Sequence, residues 1–274
     1  MFEQDFHSPF NPYMYKKENH QNTVFYTSVL FIILILLSSS LIISAYWPEI
    51  EHYRLTHQEY EIYGGMNSEL RDSEFFEDIS SGKSLCFLGD SITYGTATDG
   101  IHWYQPLLPY IKGEVSELSY GGWTIMDLLN ISNEIPKADI YVIAIGINDV
   151  LFPDSDWSAK TDTVFVDRCN QLAEKISDLS PNAKIYFIAP WSFTGFDESL
   201  VIRGDQFRAA LEEFCKTNNY SYIDPDPVIT YVLEHYDKQE FMYNCYHPNA
   251  QEGVGLYSYA VLVESHNLRT TPGK

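Results

Sequence analysis

The apolar positions of the chain fall into two regimes. The first is one long uncharged run over residues 23–47, whose centre, Val29 to Leu37, consists of Leu, Ile, Val and Phe alone. A helix needs about 20 apolar residues to cross the hydrocarbon core of a bilayer, so this run predicts a transmembrane helix. Tyr26 near one end and Tyr46 and Trp47 at the other match the aromatic belts of membrane interfaces. A cleaved signal peptide has a shorter apolar region after a short basic start. Here 22 residues precede the run, and no clean small-x-small cleavage site follows it. The second regime begins at Ser84, where short apolar runs alternate with longer amphipathic ones. Strands are predicted at 85–88, 115–119, 140–145, 184–189 and 220–223. Helices are predicted near 124–132, 160–179, 198–217, 226–236 and 252–265. Alternating strands and helices with near-continuous apolar strands mean an α/β domain built on a mainly parallel sheet.

Between the two regimes, residues 48–82 are acidic, with interrupted helical periodicity through Ile50, Tyr53, Leu55, Tyr60 and Ile62. They read as a stalk. The expected organisation is a tail over 1–22, a transmembrane helix over 23–47, a stalk over 48–82 and a folded domain over 83–274. Lys16 and Lys17 precede the span, whereas Pro48-Glu49-Ile50-Glu51 follows it. The positive-inside rule places the N-terminus in the cytoplasm and the domain outside the cell.

Charge narrows the partners. The net charge of -21, from 38 acidic and 17 basic residues, repels phosphate backbones and argues against nucleic acid. The cysteines, Cys86, Cys169, Cys215 and Cys245, show no CxxC spacing, so neither a zinc site nor a redox motif is expected.

In open α/β sheets, sites form beyond the carboxyl ends of the strands, and the chemically notable residues fall there. After the first strand comes Gly89-Asp90-Ser91-Ile92-Thr93, where a serine between glycines can present its hydroxyl at the sheet rim; a helix cap is the plainer reading. After the second comes Tyr120-Gly121-Gly122-Trp123-Thr124, with backbone N–H groups that can serve as donors. After the third comes Gly146-Ile147-Asn148-Asp149, where the Asn148 amide can meet a developing oxyanion. Near the C-terminus, His247-Pro248-Asn249 places a histidine between the last strand and the last helix, able to act as general base to Ser91. His7 and His20 precede the apolar run, and His52 and His57 lie in the stalk. His102, His235 and His266 read as surface or packing residues.

These four blocks, in this order, resemble the SGNH hydrolases, also called the GDSL family, over roughly residues 83–265. The resemblance implies a flavodoxin-like three-layer α/β/α sandwich with about five strands, and neither metal nor cofactor. It implies Ser91 as nucleophile, His247 as base, and an oxyanion hole made by the N–H of Ser91, the N–H of Gly122 and the amide of Asn148. Gly122 is preferred to Gly121 because it directly precedes Trp123-Thr124. One position departs from the family pattern. The acid three residues before the histidine is here Asn244. Asn244 can orient His247 through its carbonyl, or Asp237, Glu240, Asp224 or Asp226 can stand in, or the enzyme is weakened or dead. The expected function is a serine esterase acting on acyl esters, including O-acetyl esters, of carbohydrate or lipid at the cell surface. An O-acyltransferase to surface glycan is the alternative within the same chemistry. A non-catalytic surface protein that binds glycans or partners is the alternative outside it.

Overall fold

The computed structural model describes Val29 and residues 71–270, with side chains to residue 265. The chain divides into two units, Met1–Glu51 and His52–Lys274. Apart from Val29, all described residues belong to the second. The apolar run over 23–47 otherwise lies outside the described residues. Among the described residues, no helix is long and apolar enough to cross a membrane.

Five parallel strands form one sheet: β1 (Leu85–Gly89), β2 (Val115–Ser119), β3 (Ile140–Ala144), β4 (Lys184–Ile188) and β5 (Ser221–Ile223). Their order is β2-β1-β3-β4-β5, the doubly wound order whose switch point lies between the first and third strands. The apolar runs explain the inner strands, since every residue of β1 and β3 is buried. The mixed run Val-Ser-Glu-Leu-Ser explains why β2 is a partly exposed edge.

The helices are α1 (Glu74–Ser80), α2 (Ser91–Tyr94), α3 (Ile125–Asn130), α4 (Ile147–Leu151), α5 (Asp162–Leu179), α6 (Glu198–Asn218), α7 (Asp226–His235), α8 (Lys238–Phe241) and α9 (Glu252–Thr270). A 3-10 helix spans Gln105–Tyr110. Helix α5 packs on α3 and α6, while α9 packs on α1, α7, α8 and the 3-10 helix. Right-handed crossovers demand this partition, because the chain moves one way from β1 to β2 and the opposite way through β3, β4 and β5. One helix group therefore covers each face.

The segment expected to be a stalk over 48–82 ends differently. Ser73 caps α1 by accepting from the Phe76 N–H at 3.1 Å, and Phe75, Phe76 and Ile79 are buried in the core. Phe75 meets Tyr186 edge-on at 5.1 Å. Lys184 and the Tyr186 hydroxyl both donate to Asp78, each at 2.6 Å. The folded body thus begins by residue 73, ahead of the expected boundary at 83. The short acidic pattern hid three core positions.

Candidate active site

Strand β1 ends at Gly89, and the chain turns at once into α2. A side chain at position 89 would place its Cβ 2.2 Å from Thr93 Oγ1 and 2.8 Å from the Ala144 carbonyl, so only glycine allows this close turn. Asp90 caps α2, its carboxylate accepting from the Ile92 N–H at 3.0 Å. Burial pushes the Asp90 carboxyl up to about 7. Ser91 is the first residue of α2, where a backbone N–H finds no intrahelical partner. It is only 5% exposed.

The strands that flank β1 supply the next pieces. Gly89 lies opposite Ser119 of β2 and opposite Ala144 of β3. Gly122 follows Ser119 by three residues and Asn148 follows Ala144 by four. Ser91, Gly122 and Asn148 therefore come from three adjacent strand ends around the switch point. Gly122 has φ +81°, a backbone that glycine adopts freely. Asn148 is buried and donates one amide hydrogen to the Trp123 carbonyl at 2.8 Å. That bond fixes the amide plane and leaves the second hydrogen for another acceptor.

Asp149 holds the surrounding loops. Its two carboxylate oxygens accept from the Ile125 N–H at 3.0 Å and the Ala159 N–H at 2.7 Å. It thereby ties the Gly122 loop to the segment after α4. Burial raises its carboxyl to about 6, against the pull of these two N–H groups.

His247 arrives from the loop before α9, a loop closed by its neighbours. Asn249 donates from its backbone to the Phe241 carbonyl at 2.8 Å and from its amide to the Glu240 carbonyl at 2.7 Å. Its side-chain oxygen accepts from the Gly253 N–H at 2.9 Å. This pinning sets His247 Nε2 at 2.8 Å from Ser91 Oγ, across 156 residues of sequence. His247 is 8% exposed, and burial lowers its pKa below the ordinary histidine value.

On the far side of the ring stands Asn244. Its Oδ1 accepts from the Tyr246 N–H at 3.0 Å and from the His247 N–H at 2.8 Å. Those two donors fix the amide, so its nitrogen is the group facing His247 Nδ1 at 3.1 Å. Asp224, Asp226 and Asp237 are engaged elsewhere. Asp224 accepts from the Asp226 N–H, Asp226 accepts from Thr230 and pairs with Arg208, and Asp237 caps α8. Glu240 is exposed on α8, its carbonyl held by Asn249. Burial depresses the His247 pKa. A neighbouring carboxylate would push the other way.

Sequence reasoning passed over His102. Its Nδ1 lies 2.8 Å from the Thr93 carbonyl and 2.9 Å from Glu117 on β2. Both partners accept, so Nδ1 carries a proton and ties α2 to the sheet edge. Tyr104 also donates to Glu117, and its ring stacks on Phe87 at 3.8 Å. The pairing spans 15 residues, and no local motif announces it.

Two cavities border the site. One of about 520 Å³ is bounded by His247, Asn244, Thr96 and Tyr243. The other, of about 730 Å³, is bounded by Gly122, Trp123, Phe152 and Trp157. Among the described residues, no cluster of His, Cys, Asp and Glu has the makings of a metal site.

The sequence matches the GDSL-like lipase/acylhydrolase family over residues 87–251. The chain belongs to that family, and its class is ester hydrolase. Solved structures with the same fold include Axe2, an acetylxylan esterase from Geobacillus stearothermophilus. It is 22% identical, with a TM-score of 0.55 over 68% of this chain and 95% of that one. A second is LAE5, an alpha/beta hydrolase enzyme from the metagenome of Lake Arreo, with 17% identity, a TM-score of 0.56, and 68% and 96% coverage. A third, from Parabacteroides merdae, is a candidate GDSL-like lipase with 16% identity, a TM-score of 0.59, and 68% and 96% coverage. No curated protein matches the chain.

Proposed function

We propose that the protein is a serine esterase for acyl esters of carbohydrate or lipid, held at the cell surface by the apolar run over 23–47. The 2.8 Å approach of His247 Nε2 to Ser91 Oγ carries this reading. Ser91 Oγ attacks the ester carbonyl carbon, and its proton passes to His247 Nε2. The carbonyl oxygen becomes an oxyanion facing the N–H groups of Ser91 and Gly122 and the free amide hydrogen of Asn148. Donors placed where charge develops are the largest single source of such catalysis. The intermediate collapses, the bond to the alcohol oxygen breaks, and His247 returns the proton to that oxygen. Water then attacks the acyl-Ser91 ester and gives its proton to His247; the bond to Ser91 Oγ breaks as His247 returns that proton to Oγ, and the acid leaves. A sugar hydroxyl in place of that water makes the same site an acyltransferase.

Asn244 slows this cycle. Its amide donates to Nδ1, so the resting imidazole carries its proton on Nε2 and donates to Ser91. Base catalysis needs the other tautomer, which forfeits the Asn244 bond. The same contact favours a second reading, a surface protein that binds esters without cleaving them. Labelling the full chain with a fluorophosphonate separates the two. Covalent adduct on Ser91, lost in His247→Ala, supports the esterase. An unmodified Ser91 after prolonged exposure rejects it in favour of the binding protein.

A further inference from the structure

The cavity beside Gly122 has an uncommon wall. Trp157 is 57% exposed, Tyr120 56% and Phe152 51%, although large apolar side chains are ordinarily covered. They do not lie scattered, because all three border the same cavity with Trp123. Tyr94, Tyr120 and Trp123 form a chain of rings: Tyr94 to Tyr120 is 5.4 Å and Tyr120 to Trp123 is 6.0 Å between centroids. The backbone beneath them is fixed. The Trp157 carbonyl accepts from Arg168 at 3.1 Å, with the Thr124 hydroxyl oxygen 3.2 Å away. Asp127 accepts from both the N–H and the hydroxyl of Thr124, at 2.8 and 2.7 Å. The backbone at Trp157 and at Thr124, next to Trp123, is therefore set before any ligand arrives.

Its chemistry selects an occupant. Aromatic faces carry partial negative charge and attract C–H groups that are partly positive. The flat face of a pyranose ring offers such C–H groups, while its hydroxyls need acceptors at the edge. Asp127 and Asp154 stand in the same wall and supply carboxylates. Those acids, in a chain of net charge -21, repel phosphates and carboxylates. A fatty acyl chain needs a continuous aliphatic lining, and here Leu151 and Pro153 are the aliphatic members of the wall. At about 730 Å³ the space far exceeds an acetyl group and suits one or more sugar rings.

We infer that this cavity is a subsite for uncharged sugar rings, with Trp157 and Phe152 as its stacking surfaces, which sets an acylated neutral glycan against the Gly122 end of the site. The inference rests on the esterase reading for its catalytic consequence, but not for the binding itself.

The test compares four esters on the full chain: fully acetylated xylose, ethyl acetate, p-nitrophenyl acetate and p-nitrophenyl laurate. Acetylated xylose is expected to exceed ethyl acetate by at least about tenfold in kcat/KM. The Trp157→Ala/Phe152→Ala variant is expected to lose that excess through KM and to keep its rates on ethyl and p-nitrophenyl acetate. Equal treatment of the two alkyl and sugar acetates overturns the inference. So does a preference for laurate that the variant abolishes, or an equal loss on all four esters. Calorimetric titration with acetylated xylo-oligosaccharide separates the two claims. Binding that the double variant loses, with no hydrolysis of any ester, sinks the esterase reading and upholds the subsite. Absence of binding together with absence of sugar preference overturns the subsite.

Discussion

Asn244 donates its amide hydrogen to His247 Nδ1 at 3.1 Å, and its oxygen is already taken by two backbone N–H groups. An aspartate there could accept from the same N–H groups with one oxygen and from Nδ1–H with the other. It would leave Nε2 bare to take the Ser91 proton. The Asp-to-Asn exchange at the equivalent role in a serine protease costs about 10⁴ in rate. Asn244→Asp is therefore expected to raise kcat on p-nitrophenyl acetate by about 10²-fold or more, with little change in KM. Steady-state kinetics check this, and a fall in kcat would mean that Asn244 is an adapted part of the site.

The same contact fixes a pH dependence. Burial depresses the His247 pKa below its ordinary 6.5, and only the neutral ring accepts a proton from Ser91. The acid limb of kcat/KM for the wild type is expected below pH 6.5. In Asn244→Asp the new carboxylate favours the imidazolium, so the limb moves to higher pH. A pH–rate profile of both proteins shows whether the shift has this sign.

Removing the Asn148 amide strips one donor from the oxyanion. Asn148→Ala is expected to lower kcat by about 10²–10³ while leaving KM within a few-fold. Active-site titration makes the outcome diagnostic, because a folding defect lowers the active fraction and the apparent kcat at unchanged KM, whereas a lost oxyanion donor lowers kcat per titrated site.

The blocks around Ser91, Gly122, Asn148 and His247 were legible because each sits in a local turn that follows a strand or precedes a helix. The five strands, the four longest helices and α3 were legible for a similar reason: their apolar periods are continuous. What escaped depends on distance. Short α4 and α8, five and four residues long, are too brief to show a period. The sheet order, with β3 beside β1 rather than β2, is a property of the assembled sheet and not of any one segment. Phe75 and Ile79 looked like part of an acidic stalk because their partners, Tyr186 and α9, lie over a hundred residues on. His102 looked idle because Glu117 reaches it only once β2 is paired.

That pairing makes a stability prediction. Its hydrogen bond to Glu117 raises the His102 pKa above 6.5. For Glu117, burial raises the carboxyl, but the hydrogen bonds from His102, Ser119 and Tyr104 outweigh it and hold the pKa below 4.5. The histidine contribution is whole below pH 6.5 and fades as pH climbs through the raised value. The glutamate contribution is whole above pH 4.5 and fades as pH falls through the lowered one. His102→Gln is expected to cost about 1–2 kcal/mol between pH 4.5 and 6.5, and less at alkaline pH. Urea melts across that range test the sign, and a cost that grows with pH would refute the ion pair.

The most direct test of Ser91 as nucleophile is the hydrolysis of p-nitrophenyl acetate by the full chain, followed beside Ser91→Ala, with rapid acid quench and mass analysis of the protein. The expected result is turnover above the buffer rate, an acetyl group trapped on the Ser91 peptide, and loss of both in Ser91→Ala. Turnover undiminished in Ser91→Ala, or an acetyl group carried on another residue, would contradict it.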